Sequence, residues 1–295
     1  MKTKHKAADS RSRAVAATHL VTGAIALFAI ALVATSASAA STLEKARKSG
    51  SIRIGFANEA PFGYATPDGK ATGESPEIAR YVAKKIGIGK VEAVLTEWAS
   101  LIPGLRAHRF DVIAAGMFIT PPRCKQVAFS NPTYRLGSGF LVKAGNPLGL
   151  HSYKDVAGNA SVKLAVMAGA VEQGYATRAG IPEDRIVTLP DQVSMLSAVR
   201  FGRADAAALT ALSIRRMAKR GGDRVAVAKP FKTPAYAFGY GAFAFRKDDK
   251  ALRQAFDKVL ASFIGSKAHL ALVAPFGFTR AELPGKATAA KLCGG

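Results

Sequence analysis

The sequence predicts an α/β protein with a mostly parallel sheet, arranged as two lobes on one plan. Strand-like and helix-like segments alternate through most of the chain, which is the pattern of a parallel sheet with crossover helices. One stretch in the first half is echoed about ninety residues later, as two lobes of common design would produce. The 295 residues leave room for two modest domains once a short leader is set aside.

The leader comes first. Lys2, Lys4, Lys6, Arg11 and Arg13 form a basic head, Leu20 to Ala34 an apolar core, and small residues end at Ala39. Residues 1–39 therefore read as a secretory signal peptide, with an uncleaved N-terminal anchor as the rival reading. No Cys follows the apolar core, which argues against a lipid-anchored mature end. No later stretch reaches 18 consecutive apolar residues, so a soluble exported protein is expected. Export bears on Cys124 and Cys293, the two cysteines, which both lie in the mature part. In an oxidising compartment a disulfide between tail and first half, or two unrelated thiols, are both open on the residues alone. Two distant Cys and scattered His form no ligand cluster, so no metal is expected, and no cofactor motif is present.

The formal net charge is +22, and it stays near +18 without the leader. Such a charge raises nucleic acid or an anionic surface as partners. The basic residues are scattered, however, and no nucleic-acid motif accompanies them, so a solubilising surface charge is the better reading.

"SIRIGFA" (residues 51–57) reads as a buried strand. "SPEIARYVAKKIG" reads as a helix: Ser75 can cap it, Pro76 suits its first turn, and Ile78, Val82 and Ile86 recur every four residues. "KVEAVLT" is a strand, "SLIPGLRAHRF" a short helix, and "DVIAAGM" a strand leading to a loop. From residue 161, "SVKLAVMAGAVEQGYATRAG" reads strand, Gly-containing turn, helix. "RIVTLP", "VSMLSAVRFGR" and "ADAAALT" follow as strand, helix and strand. In the echo, "LIPGLRAHRFDVIAAG" lies over "MLSAVRFGRADAAALT", so that Arg106 meets Arg200, Arg109 meets Arg203 and Asp111 meets Asp205. Chance similarity between βα units is the competing explanation. After "AYAFGYGAFAFRKDD", the segment "KALRQAFDKVLASFIG" is an amphipathic helix with Leu252, Phe256, Val259, Leu260 and Phe263 as its apolar stripe. If that helix packs on the first lobe, the chain crosses between lobes twice, leaving a cleft and a hinge.

One short stretch carries chemistry. In "IGFANEAPFGYA" a strand ends in an acid, Glu59, followed by Pro61, Phe62 and Tyr64. An ordinary turn would use Gly, Asn or Asp; an acid beside rings suits gripping a cation.

The chain resembles the bacterial extracellular solute-binding proteins of ABC importers, in the polar amino-acid-binding family. The resemblance rests on "GFANEAPFGY", "TGESPEIARYVAKKIG", "TEWASLIPGLRAHRFDVIAAGMFITPPRCKQVAFSNPTY", "LAVMAGAVEQGY", "GRADAAALT" and "GAFAFRKDDKALRQAF", in that order and over nearly all of the chain after the leader. Within the family, Glu59, Phe62, Trp98, Phe118 and Arg123 together resemble the branch that binds ectoine and hydroxyectoine. The resemblance implies a two-lobed periplasmic binding protein fold: two mixed, mostly parallel sheets flanked by helices and joined by a two-stranded hinge. It places hinges near 133–137 and 237–241, giving a first lobe of 43–135 plus 242–295 and a second lobe of 138–236. It also implies a monomer in the periplasm that delivers a small zwitterion to a membrane permease.

The implied binding residues are Glu59, Phe62, Trp98, Gly116, Phe118, Arg123, Val171 and Thr210. Arg123 would hold a ligand carboxylate, for which a planar fork of donors is suited. Without the resemblance, a solvated Arg is the ordinary reading. Phe118 stands where amino-acid binders carry a hydroxyl, and with Phe62 and Trp98 it would box a delocalised cation, with Glu59 as counter-charge. Thr210 stands where the family usually has an Asp for an α-ammonium, which favours a ring compound without a free ammonium. The turn at Gly169 to Val171 lacks the usual Ser or Thr, so its backbone N–H groups are the implied donors. A polar or cationic amino acid, or a betaine-like osmolyte, is the alternative ligand. An enzyme on the same scaffold would use Glu59 as a general acid and needs a second poised polar group. A sensor domain would need a membrane segment and a signalling module downstream, and neither follows.

Overall fold

The computed structural model describes residues 40–294, so the expected signal peptide lies outside the described residues. Twelve strands alternate with helices. The first sheet contains β1 (Ser51–Phe56), β4 (Lys90–Leu95), β5 (Val112–Phe118) and β12 (Phe238–Phe245). Its order is β4-β1-β5-β12, with β1 parallel to both neighbours and β12 antiparallel to β5. The second contains β9 (Ile186–Leu189), β8 (Leu164–Met167), β10 (Ala206–Thr210) and β7 (Tyr134–Lys143), in that order, with β7 antiparallel. The two orders correspond strand for strand. A small hairpin, β2 (Tyr64–Ala65) with β3 (Ala71–Thr72), and two short strands, β6 (Ala128–Phe129) on β12 and β11 (Val225–Val227) on β7, complete the set.

The echoed segments make equivalent structures, which chance similarity would not require. Asp111 N–H donates to Arg53 O and its carboxylate accepts from Arg53 N–H at 3.1 Å. Asp205 repeats both bonds with Lys163, the second at 2.8 Å. Each Asp thus staples the start of one strand to its parallel neighbour. Asp205→Ala is expected to cost about 1–2 kcal/mol, because Lys163 N–H loses a charged acceptor at the sheet end. A urea unfolding midpoint equal to wild type would count against it.

The two sheets meet where Tyr134–Gly137 of β7 pairs antiparallel with Phe238–Gly241 of β12. β7 then continues alongside β10, and β12 alongside β5, so the ladder is unbroken across ten strands. α9 (Lys250–Phe263) returns to the first sheet: Phe256 lies 5.4 Å from Phe243 and 5.2 Å from Phe245, ring to ring. Leu252, Phe256, Leu260 and Phe263 of the expected stripe are buried, and Val259 is partly buried. Buried Arg246 donates to Leu105 O and Phe110 O and pairs with Asp249 at 2.7 Å, tying this returning segment to the start of β5.

α2 (Glu74–Lys85) buries Ile78 and Val82 as the spacing predicts, together with Ala79 and Ala83, and Ile86 is buried just past its end. Its start corrects the sequence reading. Gly73, not Ser75, precedes the first turn, and Ser75 Oγ donates to the Glu74 carboxylate instead. Gly73 has φ 122°, and a Cβ there would stand 2.5 Å from Phe62 O. Only Gly admits this approach. It lets Glu74 N–H and Ser75 N–H bond Pro61 O and Phe62 O, which fixes the loop carrying the candidate acid and ring.

Cys124 and Cys293 form a disulfide across 169 residues, linking α4 (Pro121–Cys124) to the C-terminal α11 (Ala289–Leu292). Among the described residues no single helix is long and apolar enough to cross a membrane.

Candidate functional site

The C-terminal ends of β1 and β5 face those of β8 and β10, the place where open α/β sheets bind ligands. A small, tightly closed cavity lies there. All eight residues singled out from the sequence line it: Glu59, Phe62, Trp98, Gly116, Phe118, Arg123, Val171 and Thr210. Gly116 and Thr210 are equivalent positions in the echo, one from each sheet. Tyr64, the other ring of the opening stretch, belongs to β2 and is not in the lining.

The loop after β1 supplies Glu59 and Phe62. Phe62 is buried: it stacks on Tyr134 at 5.1 Å and meets Phe278 edge-on at 5.7 Å. It also explains Gly116, where φ is 68° and a Cβ would stand 2.6 Å from the Phe62 ring. Tyr134 completes the support by donating its hydroxyl to Gly116 O at 2.6 Å. Trp98 opens a short 3₁₀ turn (Trp98–Ser100), and Phe118 ends β5.

Arg123 follows β5 on the one-turn α4 and is only 8% exposed. Its Nη1 donates to Phe118 O at 2.9 Å and its Nη2 to Gly169 O at 3.0 Å. Among the described residues, two of its five N–H donors are thus engaged. The guanidinium lies 5.7 Å from the Trp98 ring, so this ring covers the positive side chain. Trp98 Nε1 also donates to Gly169 O, at 3.2 Å. This alters the expected role of the 169–171 turn. Gly169 presents its carbonyl to Arg123 and Trp98, and Ala170 N–H is already bonded to Met167 O. Thr210 caps α8 (Ala211–Gly221), accepting from Ser213 N–H, and Ser213 Oγ donates to Glu59 Oε1 at 2.8 Å. Gln192, at the start of α7 (Gln192–Arg200), exchanges two bonds with the Ala60 backbone. These bonds between the two sheets' loops describe a closed cleft.

Three lining residues were missed, Met167, Glu172 and Leu209, while Ala170 belongs to the turn already singled out. Glu172 matters most. It begins α6 (Glu172–Arg178), is 2% exposed, and adds a second carboxylate where one acid, Glu59, was expected beside the rings and Arg123. The visible signal was "VEQG" after the Gly turn; a solvated first-turn acid is the ordinary reading of such a Glu. Burial pushes the Glu59 carboxyl up to about 8, aided by Glu172 and opposed by the Ser213 bond and Arg123. Burial likewise pushes Glu172 up to about 7, opposed by its own backbone N–H and by Arg123. Burial pulls the Arg123 pKa down, against Glu172, Tyr175 and Glu59. The guanidinium stays protonated all the same.

A fold of two matching sheets, joined by two crossing strands and closing on a cavity with buried ionic groups and rings, defines a solute-binding protein. The chain belongs to the bacterial extracellular solute-binding proteins, family 3, whose profile matches residues 52–276. It is 39% identical to a Sinorhizobium fredii protein named a probable amino-acid ABC transporter periplasmic-binding protein, y4tE, over 91% of this chain and 90% of that one. It is similar to the crystal structure of EhuB in complex with hydroxyectoine, at 40% identity and TM-score 0.79, over 85% of this chain and 97% of that chain. It also resembles an ancestral amino acid-binding protein described as a precursor of cyclohexadienyl dehydratase, at 31% identity and TM-score 0.71, covering 80% of this chain and 99% of that one.

Proposed function

We propose that this chain is the periplasmic substrate-binding component of an ABC importer, exported through its signal peptide, that captures ectoine- or hydroxyectoine-type zwitterions and delivers them to a membrane permease. One observation carries the reading: a buried guanidinium, a buried acid and three rings share one small cavity. A zwitterionic ring compound meets both charges at once. Its carboxylate takes the free donors of Arg123, and its amidinium faces the rings and gives an N–H to Glu59. A buried charge needs such a partner. The likeness to a hydroxyectoine complex supports the same ligand class.

The lobes are residues 43–135 with 242–295, and 138–236. The hinge is the β7–β12 pairing, and the chain works as a monomer. Closure on the guest is favoured because both lobes contribute contacts. A second reading, a polar or cationic amino acid, is favoured by Glu172, which gives the cavity a second acid.

The test is a calorimetric titration of hydroxyectoine, ectoine, glycine betaine and L-arginine into the mature protein. The proposal expects the two ectoines to bind tightest; preference for arginine would transfer the site to the second reading. Recovery of the guest unchanged after long incubation separates binding from turnover. Phe118→Leu keeps apolar volume and removes one ring face, so it is expected to weaken ectoine binding roughly 2- to 30-fold. An unaltered titration curve would remove this ring from the cation box.

A further inference from the structure

We propose that Glu172 is a specificity-determining residue: it faces the guest as a neutral carboxylic acid beside Arg123, donates its O–H to the guest carboxylate, and so makes the cavity select net-neutral zwitterions over cations. This rests on the binding reading above and deepens it.

Charges sealed in a closed space must balance. Glu59, Glu172 and Arg123 are 4%, 2% and 8% exposed and line the same cavity. Two carboxylates and one guanidinium leave an excess negative charge where water is scarce, and an unpaired buried charge is strongly disfavoured. One proton on the acid pair restores neutrality, and it belongs to the pair until a guest sorts it. The other charged and titratable groups near Glu172 do not alter the count. Tyr134 of β7, Tyr153 of α5 (Tyr153–Gly158) and Tyr175 of α6 itself are pushed further up by burial and stay neutral. Glu97 and Asp191 stand outside, at the mouth of the cleft.

The guest then decides where the proton sits. Glu59 already accepts the Ser213 hydroxyl, which favours its ionised form. No side-chain hydrogen bond reaches the Glu172 carboxylate among the described residues, and Arg123 is the cation nearest in effect to it. An arriving cation ionises Glu59 and leaves the proton on Glu172, on the side where Arg123 receives the guest carboxylate. A zwitterion adds no net charge, so the count still closes with one proton. A guest of net charge +1 closes it only by expelling that proton.

The pH dependence follows with opposite signs. For a zwitterion, loss of the proton turns Glu172 into a second anion against the guest carboxylate, so affinity falls as pH rises through about 7 to 8. For a net cation, the proton must leave, so affinity rises with pH.

Two measurements on the full mature protein test this. A ¹³C-carboxyl NMR titration needs no ligand: wild type is expected to show a glutamate signal still protonated near pH 7 that vanishes in Glu172→Gln, beyond the one expected from buried Glu74. Absence of that difference overturns the inference, whatever binds. Calorimetry with hydroxyectoine from about pH 6 to about pH 9 should then show wild-type affinity falling towards tenfold per pH unit at the top of the range. Glu172→Gln, a permanent mimic of the neutral acid, should bind with a flat profile and exceed wild type at high pH. A flat wild-type profile, or a variant sharing the wild-type slope, overturns the proposal. So does L-arginine binding that fails to tighten as pH rises. If hydroxyectoine does not bind wild type at all, the function reading fails while the NMR titration still decides the proton.

Discussion

Replacing Arg123 with alanine is expected to weaken hydroxyectoine binding by roughly 30-fold to several thousand-fold, the range for truncating one partner of a buried, hydrogen-bonded charge pair. Among the described residues, Arg123 is the one cationic side chain in the lining. Its removal leaves the guest carboxylate unpaired and brings the Glu59–Glu172 pair forward as an uncompensated negative site. Arg123→Lys restores the charge without the planar fork and is expected to fall between wild type and alanine. Part of the loss is closure itself, since Nη2 bonds Gly169 O across the cleft. Calorimetry measures the affinity, and a thermal melt without ligand shows that the fold survives. An alanine variant within about threefold of wild type would remove the carboxylate from the proposed ligand pose.

Cys293→Ser is expected to lower stability by about 2–5 kcal/mol, because the disulfide closes a 169-residue loop and restricts the unfolded chain. For a chain of this size that is a fall in melting temperature of roughly 5–15 °C. The effect on binding should be small. Cys124 follows Arg123 directly, yet the guanidinium is held by Phe118 O and Gly169 O rather than by the tail. The tail keeps other anchors, including Ala289 N–H on Asn131 Oδ1 at 3.1 Å. Equal melting temperatures with and without the bond would show that the tail is held by packing alone.

Local chemistry was legible where one element decides it. The buried runs of β5, β8 and β10 and the four-residue spacing of Ile78, Val82 and Ile86 all report a face of a single strand or helix. The start of α2 was misread because Ser75 is a good cap by type, while the loop at Phe62 demands a glycine before the helix. α8 carried a clear apolar face, burying Leu212, Ile214 and Met217, yet its capping by Thr210 went unread because that residue was read for ligand chemistry alone.

By itself the sequence determined the α/β class, the repeated βα plan with its two aspartates, the family, and the eight residues now found around one cavity. The tertiary structure alone decided that Cys124 and Cys293 join, that Glu59 meets Ser213 across 154 residues, and that Glu172 turns inward. The physical reason is range. Periodicity and residue type record what a segment buries along its own axis. Whether an acid is solvated or sealed beside a guanidinium depends on two strand ends brought together by a chain that crosses twice, and no local pattern carries that distance.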